Sequence, residues 1–328
     1  MSKPDPAELA DLRRGKVYVA GHRGMVGSAL VRRLREAGCE NLLLRSRAEV
    51  DLENQQQVLD LLRSEKPDYI FLAAARVGGI HANNTYPASF IYSNLMIASN
   101  VINAARETKV HRLLNLGSSC IYPKNAPQPM PENCLLTGTL EPTNEAYAVA
   151  KIAAIKLCES YNREYGTDFR SVMPTNLYGP NDNFDLQSSH VLAALLRKFH
   201  EAKKSQADVV EVWGSGKPQR EFLHVDDLAD ACLFVCCLTK TDYASNTTPT
   251  LSQLNIGTGE EVSIAELADI IKSIVGFKGD ISYNSEYPDG TRRKLLDVSA
   301  VSSMGWDARI SLQEGIESTY QWYLDHHQ

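Results

Sequence analysis

Short apolar runs alternate with amphipathic stretches through the first half of the chain. The polar, charged opening MSKPDPAELADLRRG reads as a frayed arm before a first strand at 16–20. Beyond it Met25, Val26, Ala29, Leu30 and Leu34 recur at helical spacing, and a second strand follows at 41–44. Asp51 is placed to cap a helix running to Arg63. Residues 69–73 read as a buried strand, 87–107 as a long helix and 112–116 as the next strand. From Asn144 the string NEAYAVAKIAAIKLCESYN is one long amphipathic helix, rich in Ala, Lys, Leu and Ile. Strands alternating with helices at this spacing predict an α/β fold on a doubly wound parallel sheet. Ligands then belong beyond the carboxyl ends of the strands.

The alternation loosens after Gly179-Pro180, which predicts a smaller C-terminal lobe. The expected division is an arm at 1–15, a dinucleotide-binding sheet domain at 16–180, and a substrate lobe mainly at 181–328. Segments near 222–256 and 290–305 are expected to return to the first domain. In the lobe, 209–213 is a short strand, 214–218 a loop, and HVDDL a helix start with an acidic cap. Cys232, Cys236 and Cys237 read as core on an apolar helix, and Trp306 with TYQWYLDHH as a packed terminal helix.

Composition narrows the class. The 328 residues carry a formal charge of -6, without the basic footprint that nucleic acid requires. The opening lacks the apolar core of a signal peptide, and no apolar run is long enough to cross a bilayer. Seven cysteines, with no C-x-x-C pair, argue against a disulfide framework and against a zinc site. The expectation is a cytoplasmic protein without a metal.

Candidate chemistry begins at Gly21-His22-Arg23-Gly24-Met25-Val26-Gly27. Strand, glycine turn and helix in that order aim backbone N–H groups at a pyrophosphate. The spacing is G-x-x-G-x-x-G rather than G-x-G-x-x-G, and turns use glycine for conformational reasons alone. Its place between a first strand and a first helix favours the dinucleotide reading. The second strand ends in Arg45-Ser46-Arg47, without a carboxylate to hold a ribose 2′-hydroxyl. NADP(H) is therefore the expected cofactor, with Arg47 and Arg23 bracketing its 2′-phosphate. The bland alternative is a solvated basic turn.

Tyr147 and Lys151 lie four residues apart, hence on one helix face. An ammonium beside a phenol favours the phenolate and brings proton transfer toward neutral pH. Tyr-x-x-x-Lys also arises often by chance. Here it follows a strand ending in Gly117-Ser118-Ser119-Cys120, which sends a hydroxyl and a thiol toward the same crevice. A buried cysteine in a serine-rich turn is the plain alternative. Arg220, after the loop, suits a diphosphate, although a surface arginine on a turn is as ordinary. His190 alone reads more simply as a packed or solvated histidine, and Asp226 as structural.

These residues resemble the extended short-chain dehydrogenase/reductases that act on nucleotide sugars. The strings AGHRGMVGSAL, AARVGGIHANNTYPASFI, LGSSCIYPK, EPTNEAYAVAKIAAIKLCESYN, SVMPTNLYGPNDNF and VWGSGKPQREFLHVDDLA are similar to the branch acting on GDP-4-keto-6-deoxy-D-mannose. The likeness runs from about Lys16 to the C-terminus. It implies an NAD(P)-binding Rossmann domain and a 3,5-epimerisation with NADPH-dependent 4-keto reduction, giving GDP-L-fucose. It implies that Gly21, His22, Arg23, Gly24, Met25, Val26 and Gly27 cradle the pyrophosphate, and that Arg47 meets the 2′-phosphate. Asp51, Leu52, Leu116, Gly117, Ser118, Ser119, Lys151, Pro174, Thr175, Asn176, Leu177 and His190 would follow the cofactor.

In the same resemblance Tyr147 is the acid for reduction, Lys151 holds the nicotinamide ribose, and Ser118 bonds the substrate carbonyl. Cys120 and His190 are the base and acid of epimerisation, and Lys198, Trp213, Arg220 and Asp289 contact the GDP-sugar. A homodimer through the helices at 87–107 and 144–165 is implied as well. Two rivals stand beside this reading. A nucleotide-sugar 4-epimerase or plain 4-reductase would need neither Cys120 nor His190 in these roles. A non-catalytic NADP-sensing scaffold typically loses the tyrosine or the lysine, and both are present.

Overall fold

The computed structural model describes residues 4–186, 188–287 and 289–327. Its first half contributes β1 (Val17–Ala20), β2 (Leu42–Leu43), β3 (Tyr69–Leu72), β4 (Arg112–Leu116), β5 (Phe169–Pro174) and β6 (Asn176–Tyr178). The second half adds β7 (Val209–Trp213), β8 (Gln219–Arg220), β9 (Phe222–His224), β10 (Gln253–Ile256), β11 (Val262–Ser263), β12 (Asp280–Asn284) and β13 (Arg293–Lys294). Six strands form one parallel sheet in the order β10-β5-β4-β3-β1-β2, a doubly wound Rossmann-type arrangement.

Helices cover both faces. They are α1 (Pro6–Arg14), α2 (Met25–Glu36), α3 (Gln55–Glu65), α4 (Ile80–Thr85), α5 (Pro87–Glu107) and α6 (Glu145–Tyr165). Then come α7 (Val191–Ser205), α8 (Val225–Cys236), α9 (Lys240–Ser245), α10 (Ile264–Val275), α11 (Ser299–Ser303) and α12 (Leu312–His326). Because side chains alternate along a strand, Val17 and Val19 of β1 pack with Leu30 and Leu34 of α2 and with α8. Tyr18 and Ala20 enter the other layer, against Leu62 of α3 and Val101 of α5. A strand buried on both faces must be apolar throughout, as VYVA is.

The lobe has its own core, in which α7, α10 and α12 enclose Leu196, Phe199, Leu267, Ile271 and Ile316. Three small sheets accompany it: β11-β8-β13, β12-β7 and β6-β9. Cys232, Cys236 and Cys237 are buried, as is Trp306. Asp226 ties α8 to Arg32 of α2, and Asp230 accepts from Arg33 Nε at 2.8 Å.

Two local expectations fail. The arm is not frayed: α1 starts at an Asp5 cap whose carboxylate accepts from Ala7 and Glu8, and Leu12 is 0% exposed. Glu8 reaches Arg112 of β4 at 2.9 Å, so a charge of the opening segment is spent on the sheet. Residues 1–3 lie outside the described part. Asp51 does not cap α3 either. Asn54 does, accepting from Gln57 N at 3.1 Å, while Asp51 accepts from Glu53 N in the preceding turn.

Candidate active site

At the carboxyl ends of the sheet strands lies a cleft of about 1290 Å³. Ligand pockets usually measure roughly 300–1,000 Å³, so this one is larger than most single-ligand sites. The three glycines after β1 answer different needs. Gly21 takes a φ of +85°, and a Cβ there would meet Ala74 N at 2.7 Å. A Cβ on Gly27 would meet Gly21 O at 2.0 Å, so Gly27 lets α2 close on the turn. Gly24 is different, since a Cβ would make only ordinary contact, with Gly21 O at 3.6 Å. The protein alone would accept a side chain at Gly24, whereas a phosphate against the backbone would not. α2 begins there without a side-chain cap or an acidic residue in its first turn. Its free N–H groups suit an anion, and a dinucleotide pyrophosphate fits this cradle.

Two expected cofactor contacts are not part of the wall. The turn offers its backbone to the cleft, but His22 and Arg23 do not line it. His22 Nδ1 is buried without a hydrogen-bond partner among the described residues, and burial holds the imidazole below its ordinary pKa. Arg23 is exposed on the turn. Arg47 does line the cleft, paired with Glu53 at 3.0 Å, whereas the neighbouring Arg45 is held by Glu65 at 2.7 Å.

The reacting wall is built where β4 ends. A 3₁₀ turn, Ser119–Ile121, follows Ser118 and brings Cys120 Sγ within 3.1 Å of Ser118 Oγ. α6 supplies Tyr147 and Lys151 to the same wall. Lys151 Nζ donates to Leu116 O at 2.8 Å and stands 5.8 Å from the Tyr147 ring centroid. Burial lowers Lys151 to about 8. Burial also raises the Tyr147 phenol, Cys120 adds to that, and the Ser118 hydroxyl opposes it. The expectation that Lys151 makes the phenol more acidic is therefore corrected. Desolvation outweighs any such pull, and the ammonium is engaged by a backbone carbonyl.

His190, which precedes α7, also lines the cleft, and desolvation, then the Lys294 charge, holds it below its usual pKa. Lys294, on β13, is itself lowered by burial, with Cys120, Arg220 and Glu141 as its titratable neighbours. Sequence reasoning missed Lys294. It stands in the basic string RRK, and the pairing of β13 with β8 brings it to the cleft together with Arg293, which Glu261 holds at 2.8 Å.

Toward the lobe Lys198 Nζ lies 4.5 Å over Trp213, and Trp213 stacks on Tyr287 with centroids 4.4 Å apart. Asp289 accepts from Ser215 N at 2.8 Å and Ser215 Oγ at 2.6 Å, which lowers its pKa and fixes the turn after β7. Arg220 lines the same end. An acidic chain that gathers Lys198, Arg220 and Lys294 in one cleft is arranged for an anionic ligand.

The model of the NAD dependent epimerase/dehydratase family matches residues 17–247. The chain belongs to that family. Among curated members, the GDP-L-fucose synthase of Escherichia coli (strain K12) is 58% identical over 96% of this chain and 98% of its own. GDP-L-fucose synthase 1 of Arabidopsis thaliana is 57% identical over 95% of this chain and 94% of its own. Among solved structures, a GDP-mannoheptose C4 reductase from Campylobacter jejuni with NADP bound superposes with a TM-score of 0.86. It is 42% identical and covers 94% of this chain and 98% of its own. As an epimerase/dehydratase family member the chain carries its glycine turn, Tyr147 and Lys151 within the matched segment.

Proposed function

We propose that the chain is an NADPH-dependent 3,5-epimerase and 4-reductase converting GDP-4-keto-6-deoxy-D-mannose to GDP-L-fucose. The observation that carries this is Cys120 beside Ser118, on the wall that also bears Tyr147 and Lys151, in a cleft that His190 lines as well. Reduction alone explains Ser118, Tyr147 and Lys151. It leaves a thiol and an imidazole without work, and the names of the relatives at 57–58% identity support giving them work.

One carbonyl serves every step. The 4-keto group acidifies the protons on C3 and C5 of the sugar. The Cys120 thiolate takes one of these protons, and Ser118 and Tyr147 hydrogen-bond the enolate oxygen that results. His190 returns a proton to the opposite face, which inverts the carbon; exchange with solvent then resets both groups for the second centre. NADPH, when bound over the glycine turn and Asn176, supplies hydride to C4. Tyr147 gives its proton to the alkoxide oxygen, so ketone, hydride and proton balance as an alcohol. A phenol raised by burial keeps its proton until negative charge develops beside it. Lys198, Trp213 and Arg220 hold the GDP portion, with Asp289 bracing the turn beside them.

The assembly we propose is a homodimer through α5 and α6. Tyr92 of α5 is 60% exposed and Val149 of α6 is 40% exposed, apolar surface on the two helices that a second copy would cover. Incubation with GDP-4-keto-6-deoxy-D-mannose and NADPH tests the function. GDP-L-fucose is the expected product. A 6-deoxyhexose unchanged at C3 and C5 would make the protein a plain C4 reductase, like the Campylobacter jejuni relative by name.

A further inference from the structure

Glu221 is the only residue between β8 and β9, and those strands belong to different parts of the molecule. β8 is the centre of the β11-β8-β13 sheet, whose Arg220 and Lys294 line the cationic, anion-binding end of the cleft. β9 pairs with β6, which carries Asn176 and Leu177 of the nicotinamide segment. Arg220 and Phe222 line the cleft, and Glu221 between them does not.

Its side chain is wholly buried and fully used. Oε1 accepts from Thr258 N at 2.7 Å and Gly259 N at 2.9 Å, and Oε2 accepts from Leu296 N at 3.0 Å. Leu296 follows Lys294 by two residues, so this bond anchors β13. The backbone carbonyl of Glu221 accepts from Asn176 Nδ2 at 2.8 Å and Thr175 Oγ1 at 3.4 Å. The adjoining Gly257 leaves the space, since a Cβ there would lie 2.1 Å from Oε1. A buried carboxylate that meets three backbone donors from two segments is costly to place and needs all of them.

We propose that Glu221 is a positioning residue that sets the sugar against the nicotinamide ring. Its carboxylate fixes the strand bearing Lys294 and the loop 257–259, and its carbonyl fixes Asn176. Glu221 itself does not line the cleft, so it would act through these neighbours. The idea rests on the cleft being a site for a nucleotide sugar and a nicotinamide cofactor, as proposed above.

Glu221→Gln tests it, because glutamine has one acceptor oxygen and would face an amide N–H with its own NH₂. Calorimetric titration with GDP and fluorescence titration with NADPH read the variant without turnover. GDP affinity should fall about tenfold, the scale of a hydrogen bond to a charged group, with NADPH affinity nearly unchanged. Where wild type turns over the keto-sugar, kcat should fall and KM rise together. A lower active fraction with unchanged KM and GDP affinity would mean a merely structural role and overturn the proposal. Gly257→Ala, which crowds Oε1 without changing any titratable group, should give the same split. If both variants misfold, amide exchange on wild type decides. Peptides covering 257–259 and 295–297 should slow together when GDP and NADPH are added, and no change there refutes the coupling. Wild type that binds GDP but makes no fucose would defeat the functional reading and leave this one standing.

Discussion

The sulfur of Cys120 lies 3.1 Å from the Ser118 hydroxyl, so the group suited to take a carbon-bound proton shares a hydrogen bond with a group suited to hold the resulting oxyanion. Cys120→Ser should abolish deuterium uptake from heavy water at C3 and C5, since a serine hydroxyl is far less acidic than a thiol. Tyr147 and Lys151 remain, so slow reduction of the unepimerised ketone should persist. Full exchange in that variant would move the base elsewhere.

Tyr147→Phe removes the proton donor to C4 and keeps the ring packed edge-on against Phe90. Reduction should slow about a hundredfold or more, the usual scale for a general acid, while NADPH still binds. The check is stopped-flow loss of NADPH fluorescence under single-turnover conditions; near-normal rates would remove Tyr147 from the role.

Lys151 gives opposite pH signs for activity and stability. Its pKa is lowered to about 8, against about 10.4 in an unfolded chain. Between those values the unfolded chain keeps a proton that the folded one releases, so the lysine's contribution to stability rises with pH across that window and is lost as pH falls through about 8. Activity should do the reverse, falling as the charge is lost above pH 8. A pH series of kcat and of urea midpoints reads both, and Lys151→Arg should remove the alkaline limb of kcat.

Arg47 pairs with Glu53 at 3.0 Å at the edge of the cleft. Arg47→Ala should cut the preference for NADPH over NADH by about tenfold to a hundredfold, because only NADPH carries the phosphate that a guanidinium neutralises. Glu53→Gln should sharpen that preference by freeing the arginine. Equal losses for both cofactors would place Arg47 outside the phosphate site.

Leu12→Ala should cost about 2–5 kcal/mol in urea unfolding, since Leu12 is 0% exposed against the core beneath α2. Activity at 25 °C should be untouched. A frayed arm would show no change in either.

The local features could be read from the chain because their information is local. The glycine turn between β1 and α2, the four-residue interval from Tyr147 to Lys151, and the Ser118–Cys120 turn are short-range patterns with fixed geometry. The bounds of α5 and the buried β3 followed from periodicity for the same reason. Even α1 was written in Asp5-Pro6-Ala7-Glu8, a cap with proline at the first helical position, under a segment that looked too polar to pack.

Only tertiary structure could bring Lys294 to the cleft, because its neighbours there, Cys120 and His190, lie more than a hundred residues away in sequence. The same holds for Glu221, whose partners span Thr175 to Leu296. It also holds for Lys151, where a carbonyl and burial overruled the simple charge argument. A hydrogen bond or a desolvation cost depends on what the folded chain brings near, and sequence spacing carries that only over a turn or two of helix.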